Sequence, residues 1–327
     1  MINITGLPQE FKPSQYKIEI GNFLSNRTGH HCYFQQWKNR NKESAIEQQN
    51  PGENGHINLV FVHDILGHHG RMFPLASGLA SAFIEDNINF SFLDFCGHGL
   101  SNGPRAHVDE FSIFSLDLAQ FINKITEKNQ HEVVLIGQGM GALSLFKLIE
   151  QYGHLLTKKP KGLILLNPIL KTTFELDDKI EAPEFWKLPL ANYAIEKDLP
   201  FGLSKIKVRR PFSGDDIFTQ PNQALKYESD PLVSKYLSLG IFRELVKASK
   251  EIRRFSYFID IPSLFLVSGH SYLTDPDVTY LFHKGIPNSL STLIKFPKMM
   301  HEMLFEERVN LVIKEVECWI KENFLQS

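Results

Sequence analysis

At 327 residues, with 43% hydrophobic and 22% charged residues, the chain can bury a large core and needs neither a metal nor a disulfide to fold. Its formal net charge of −2 leaves no broad electrostatic footprint for nucleic acid, which is not expected as a partner. Cys32, Cys96 and Cys318 are widely spaced and odd in number, which suits reduced thiols in a cytoplasmic protein better than a disulfide framework. Met1 to Pro8 hold no basic stretch leading into a continuous apolar one, and no run reaches the ~20 apolar residues of a spanning helix. A protein that is neither exported nor integral to a membrane is expected.

In chain order, Tyr16 to Ile20 and His31 to Trp37 read as a hairpin at a sheet edge, joined by a turn-rich Asn22 to Gly29. Lys42 to His56 is polar, carries Asn50-Pro51-Gly52 and reads as an exposed loop. Ile57 to Val62 is a short apolar run, as expected for a strand covered on both faces. Helical spacing follows over Met72 to Glu85, a strand over Phe90 to Phe95, a helix over Phe111 to Ile125, a strand over Val133 to Ile136 and a helix over Gly141 to Gln151. Gly162 to Pro168 is another buried strand. This alternation predicts a mostly parallel central sheet with helices on both faces. It breaks over 171–250, where Pro183, Pro189, Pro200, Pro211, Pro221 and Pro231 interrupt a charged and aromatic stretch without clear strands, and an inserted cap is expected there. A strand over Pro262 to Gly269, a helix over Val278 to Lys284, a strand over Thr292 to Phe296 and an amphipathic helix over Glu306 to Phe324 complete the pattern.

Chemistry in such sheets sits beyond the carboxyl ends of the strands. The run Val133-Val134-Leu135-Ile136-Gly137-Gln138-Gly139-Met140-Gly141 is the strand-turn-helix setting of a nucleophile elbow, G-x-S-x-G, with Gly139 in the serine position. Glycine has no side chain and cannot attack a carbonyl. Gly137, Gly139 and Ala142 also satisfy the dinucleotide pattern G-x-G-x-x-[GA], but the next strand ends in Asn167 rather than an acid, and this turn is not the first of the sheet.

Other strand-end turns carry a resemblance. His63-Asp64-Ile65-Leu66-Gly67-His68-His69-Gly70-Arg71 resembles the H-G-x-G-E-H-S-G-R turn of the monoacylglycerol lipase and lysophospholipase (serine aminopeptidase S33-type) family of α/β-hydrolases. The stretch from Asp94 to Val108 is similar to that family's D-x-x-G-H-G-x-S-x-G-x-R-x-H-V. Asp230-Pro231-Leu232-Val233 and His301-Glu302-Met303-Leu304-Phe305-Glu306 also look like its signatures, and their order agrees. The resemblance implies an α/β-hydrolase core over 1–170 and 251–327 with a cap at 171–250, no cofactor, and a Ser, Asp, His triad in that chain order. His301 matches the base, Gly139 the nucleophile and Ser271 the acid, while the N–H groups of Ile65 and Met140 match the oxyanion donors.

The chain departs from this pattern at Gly139, at Ser271 and at Asp64, which stands where the family has glycine and puts a carboxylate near the developing oxyanion. Asp275 is a candidate substitute acid, and His63 with Asp64 are expected to line the pocket. Ser271 lies on the wrong side of the imidazole to replace the nucleophile. His63, His68, His69 and His98 invite a zinc reading, yet the non-metal family carries histidine at each of these positions except His69, and no metal is expected. The leading expectation is a catalytically impaired family member that keeps a capped apolar pocket for a lipid or acyl ligand or serves as a scaffold for a protein partner. The alternative is an active esterase, lipase or lyase on acyl lipids using Asp64, Asp275 and His301. The two separate on whether Asp64 and His301 come within hydrogen-bond reach over an open pocket.

Overall fold

A computed structural model describes residues 15–40, 56–127, 131–172 and 203–325. The loop expected over 42–56 lies outside these residues apart from its last, as does 173–202 of the expected cap. The hairpin forms from β1 (Tyr16–Leu24) and β2 (His31–Asn39), and β1 is an edge strand. Then follow β3 (Ile57–Val62), α1 (Phe73–Ala82), β4 (Ile88–Leu93), α2 (Ser112–Thr126), β5 (Glu132–Gln138), α3 (Met140–Lys147) and β6 (Gly162–Leu166). After α3 the chain continues as a π-helical turn over Leu148–Tyr152. After residue 252 follow β9 (Ser263–Ser268), α6 (Pro276–Lys284), β10 (Ser291–Phe296) and α7 (Val309–Phe324). The last helix begins three residues later than its apolar spacing suggests, because Met303–Phe305 form a 3-10 turn and the Glu306 carboxylate is held by Thr219 N–H and Oγ1.

The eight-stranded sheet runs β1-β2-β4-β3-β5-β6-β9-β10, parallel from β4 to β10, with β2 antiparallel to both of its neighbours. Successive side chains of a strand point to opposite faces. Leu59, Phe61, Val134, Ile136, Ile164 and Leu166 accordingly enter a core under α1 and α7. Val60, Val62, Val133, Leu135, Leu163 and Leu165 enter a second core under α2 and α3. Both faces are covered, which is why these strands read as unbroken apolar runs instead of alternating ones.

Between β6 and β9, the described residues form β7 (Lys207–Arg209), α4 (Pro221–Ser229), β8 (Tyr236–Ser238) and α5 (Leu239–Ile252). The absence of strands expected here needs correction: β7 and β8 pair antiparallel, but at three residues each they are too short to show a period of two. Helix α5 is capped by the Ser238 hydroxyl and packs on α3.

Three of the sequence signatures meet in space. His68, after β3, contacts Asp230 at 3.0 Å, and Arg105, after β4, donates to the carbonyls of Gly99 (2.8 Å) and Leu232 (3.1 Å). His107 reaches Ser238 Oγ at 2.8 Å. The turns after β3 and β4 therefore clamp the 230–238 stretch over the carboxyl end of the sheet.

Candidate active site

Strand β5 delivers the chain into a sharp turn at Gly139, with φ 53° and ψ −112°. This is a backbone state that a residue with a side chain holds only under strain. The Gly139 N–H donates to Leu166 O at 2.9 Å, fixing the turn to β6. Gly141 lets α3 start against β3, since a Cβ there would run into the carbonyl oxygens of Val62 and His63. The sharp turn of an elbow is present, and a Cβ built on Gly139 would overlap the carboxylate of Asp64.

Asp64 fills that space. Its Oδ1 accepts the N–H of Ile65 and the N–H of Met140, each at 2.6 Å. These are the two groups expected to hold an oxyanion, and they converge on one carboxylate oxygen. Its Oδ2 lies 2.6 Å from His301 Nε2. Asp64 and His301 thus come within hydrogen-bond reach, but both are buried, at 4% and 0% exposure.

A hydroxyl stands on the other side of His301. Ser271 Oγ accepts from Thr274 N–H (3.1 Å) and Thr274 Oγ1–H (2.8 Å), and it lies 2.8 Å from His301 Nδ1. The Ser271 hydroxyl thus stands on Nδ1 and the Asp64 carboxylate on Nε2. A working triad has the opposite placement, with the acid on Nδ1 and the serine on Nε2.

Two site expectations are corrected. Asp275 is not an acid for His301: its Oδ1 caps α6 through Asp277 N–H (3.0 Å) and Val278 N–H (3.4 Å), and its Oδ2 faces Lys171 at 3.6 Å. A carboxylate next to Pro276 at a helix start is an N-cap. His63 lines no pocket. It is fully buried, its Nδ1–H donating to Asp64 O at 2.7 Å and its Nε2 accepting Phe95 N–H at 3.1 Å. Burial, reinforced by the neighbouring His98, lowers it to about 3, so it stays neutral and braces the turn that carries Asp64.

The other turn histidines have partners of this kind. His69 contacts Asp94 through both its N–H (2.6 Å) and Nδ1 (2.9 Å). Burial would raise the Asp94 carboxyl, but His69 outweighs it and holds it below the usual range. His98 is buried on Cys96 O at 3.1 Å and pushed down by that burial to about 4.

Three supports were not singled out from sequence. Asn167, at φ 43°, joins the ends of β6 and β9 by donating to His301 O (2.8 Å) and accepting Ser268 N–H (2.8 Å). Arg71 pairs with Glu302 at 3.1 Å, with both side chains buried, beside His301. Its guanidinium lies 3.9 Å from the Phe305 ring centroid and 4.9 Å from that of Tyr227. Arg71 and Glu302 both fall inside recognised signatures, and Asn167 directly follows the strand beside the elbow. A strand-end position was the signal available for it.

A family profile described as "Serine aminopeptidase, S33" matches residues 55–308. The chain belongs to this family. A relative in rat, "Monoglyceride lipase", is 27% identical over 308 residues, covering 91% of this chain and 89% of its own length. The Escherichia coli "Uncharacterized protein YnbC" is 26% identical over 265 residues, 80% of this chain, which spans only 42% of that longer relative. Among solved structures, a soluble variant of monoglyceride lipase from Saccharomyces cerevisiae in complex with a substrate analog superposes with a TM-score of 0.75 at 16% identity, covering 97% of this chain and 99% of that one. The S33 fold and its similarity to monoglyceride lipases are thereby established.

Proposed function

We propose that this chain is an S33 family member in which ester hydrolysis is disabled and the oxyanion hole is held shut by the protein's own carboxylate. The observation that carries this reading is the set of three 2.6 Å contacts made by Asp64 to Ile65 N, Met140 N and His301 Nε2. An ester cannot place its carbonyl oxygen against two donors already satisfied by a charged group, and no hydroxyl stands at position 139 to attack it. What such a chain retains is the family frame, with the 171–250 insertion as a cap over an apolar pocket for a lipid or acyl ligand, or a surface for a protein partner.

The Asp64–His301 contact also favours a second reading, in which these two residues carry out acyl-lipid chemistry themselves. Against it, the oxyanion of an attacked ester would have to form where Asp64 Oδ1 already sits. One carboxylate cannot occupy the hole and stabilise a substrate in it.

The purified protein is expected neither to hydrolyse short p-nitrophenyl esters above background nor to react with a fluorophosphonate probe. Stoichiometric labelling of any serine, located by peptide mass spectrometry, would overturn the disabled reading and name the nucleophile. A panel of monoacylglycerols and fatty acids in thermal-shift assays divides the remaining possibilities, since a bound ligand raises Tm by mass action.

A further inference from the structure

We propose that the cavity between the β7–β8 ribbon and α4 is a binding site for a phosphate group, with Arg210 in its wall and Arg209 and Lys235 at its rim. The site is separate from the turns that hold Asp64 and His301 and does not depend on whether ester hydrolysis is disabled. These elements enclose about 310 Å³, the size of a small-ligand site. Arg210 and Phe212 are buried in the lining, at 6% and 7% exposure, whereas Arg209, Lys235 and Tyr236 are exposed around it.

Strand pairing brings the three cations together. Arg209 stands opposite Tyr236 in the β7–β8 register, and Arg210 N–H donates to Lys235 O at 3.1 Å, so Lys235 joins both arginines at one end of the ribbon. Arg210 is then held on three counts. Its Nε–H donates to Phe212 O at 3.0 Å, its Nη2 donates to Glu228 Oε1, and its guanidinium lies 4.7 Å from the ring centroid of Tyr227, which precedes Glu228 on α4. Nη1 is buried and has no hydrogen-bond partner among the described residues. Buried polar groups are nearly always paired, and a guanidinium cannot shed its charge, so this nitrogen calls for an acceptor. The rim says which kind. Arg209 and Lys235 form no ion pair among the described residues, while Glu228 answers Arg210 and also accepts Gly214 N–H at 2.9 Å. Two uncompensated cations and one unpaired guanidinium nitrogen therefore stand around one cavity. A phosphate group brings close to two negative charges and three acceptor oxygens, the geometry for which arginine is suited; a carboxylate would answer only one of the two cations. Asp215 opposes an anion, but it is exposed at the edge of the cavity, where water and salt screen it.

The test uses the full chain, as wild type and as Arg209→Ala/Lys235→Ala. Calorimetry at constant ionic strength follows sodium phosphate, with sodium acetate as the control, and co-sedimentation follows phosphatidylcholine vesicles with and without phosphatidic acid. Both substituted side chains are exposed, so the variant should keep the wild-type Tm while losing at least about tenfold in affinity for the phosphate source. In the wild type, the side-chain ¹⁵N NMR signals of Arg210 should shift with whichever phosphate source binds and stay in place with acetate, a readout that needs no variant to fold. Saturation by inorganic phosphate assigns the site to a soluble phosphate. Binding confined to the phosphatidic acid vesicles and lost in the variant assigns it to a lipid headgroup. The proposal is overturned if neither source binds, if acetate binds as well as phosphate, if the variant binds as the wild type does, or if the Arg210 signals do not move at saturation.

Discussion

Gly139 and Asp64 are a single feature. The carboxylate sits where a side chain at 139 would begin, so Asp64 can reach both hole donors only because position 139 lacks a Cβ. Read from sequence, they are two independent departures from the S33 pattern; the coupling was not legible because it depends on where a turn after β3 and a turn after β5 meet. Gly139→Ser alone therefore carries two penalties, a strained φ of order 1–3 kcal/mol and displacement of Asp64, and it should lower Tm without creating an esterase. Another buried carboxyl shows its effect through pH. Asp117 on α2 accepts the Ser25 hydroxyl at 2.5 Å and is raised by burial to about 6. The folded state thus holds a proton that the unfolded chain releases near 3.9. Its contribution is fully present below that pH and is lost as pH rises through about 6. At pH 8, Asp117→Asn should accordingly stabilise the protein by about 1–3 kcal/mol, and the gap should close as pH falls from 7 to 5. Denaturant melts of both proteins across that range measure it; a gap that is constant in pH would contradict the assignment.

At the scale of elements, the signatures that reveal the family build turns rather than chemistry. Asp94 holds His69 and Leu100 N–H, Arg105 and His107 hold the stretch before α5, and His68 holds Asp230. That division explains how the fold could be read from these residues independently of Gly139, Ser271 and Asp64. The Arg71–Glu302 pair links the turn after β3 to the turn carrying His301, with the guanidinium stacked on Phe305 and Tyr227. Removing one member leaves an uncompensated buried charge, so Arg71→Ala should cost about 3–5 kcal/mol, whereas Arg71→Met/Glu302→Gln should recover most of that loss. Equal destabilisation of the single and double variants in urea melts would show that packing, and not the charge, is what the pair supplies. Asp275 was misread for a related reason. From sequence, a loop aspartate near an expected acid position and an N-cap before Pro276 look alike, and only the placement of α6 separates them.

On the scale of the whole molecule, the apolar runs Ile57 to Val62, Val133 to Ile136 and Gly162 to Leu166 made the doubly covered sheet legible, since each buries alternate side chains in one of two cores. Three-residue pairings such as β7–β8 leave no such trace, and neither does the contact of Asp64 with Met140 N–H, 76 positions apart in the chain. The central claim is that the Asp64 carboxylate closes that hole. It is tested most directly with position 139 unchanged, by the ¹H–¹⁵N NMR amide signal of Met140 in the wild type and in Asp64→Gly. Met140 N–H lies 2.6 Å from Asp64 Oδ1 although the two residues are 76 positions apart in the chain, and a short hydrogen bond to a carboxylate moves an amide proton downfield. The account predicts a downfield Met140 signal in the wild type that moves upfield in Asp64→Gly. A Met140 signal that is the same in both proteins would contradict it, for Asp64 would then leave the hole free.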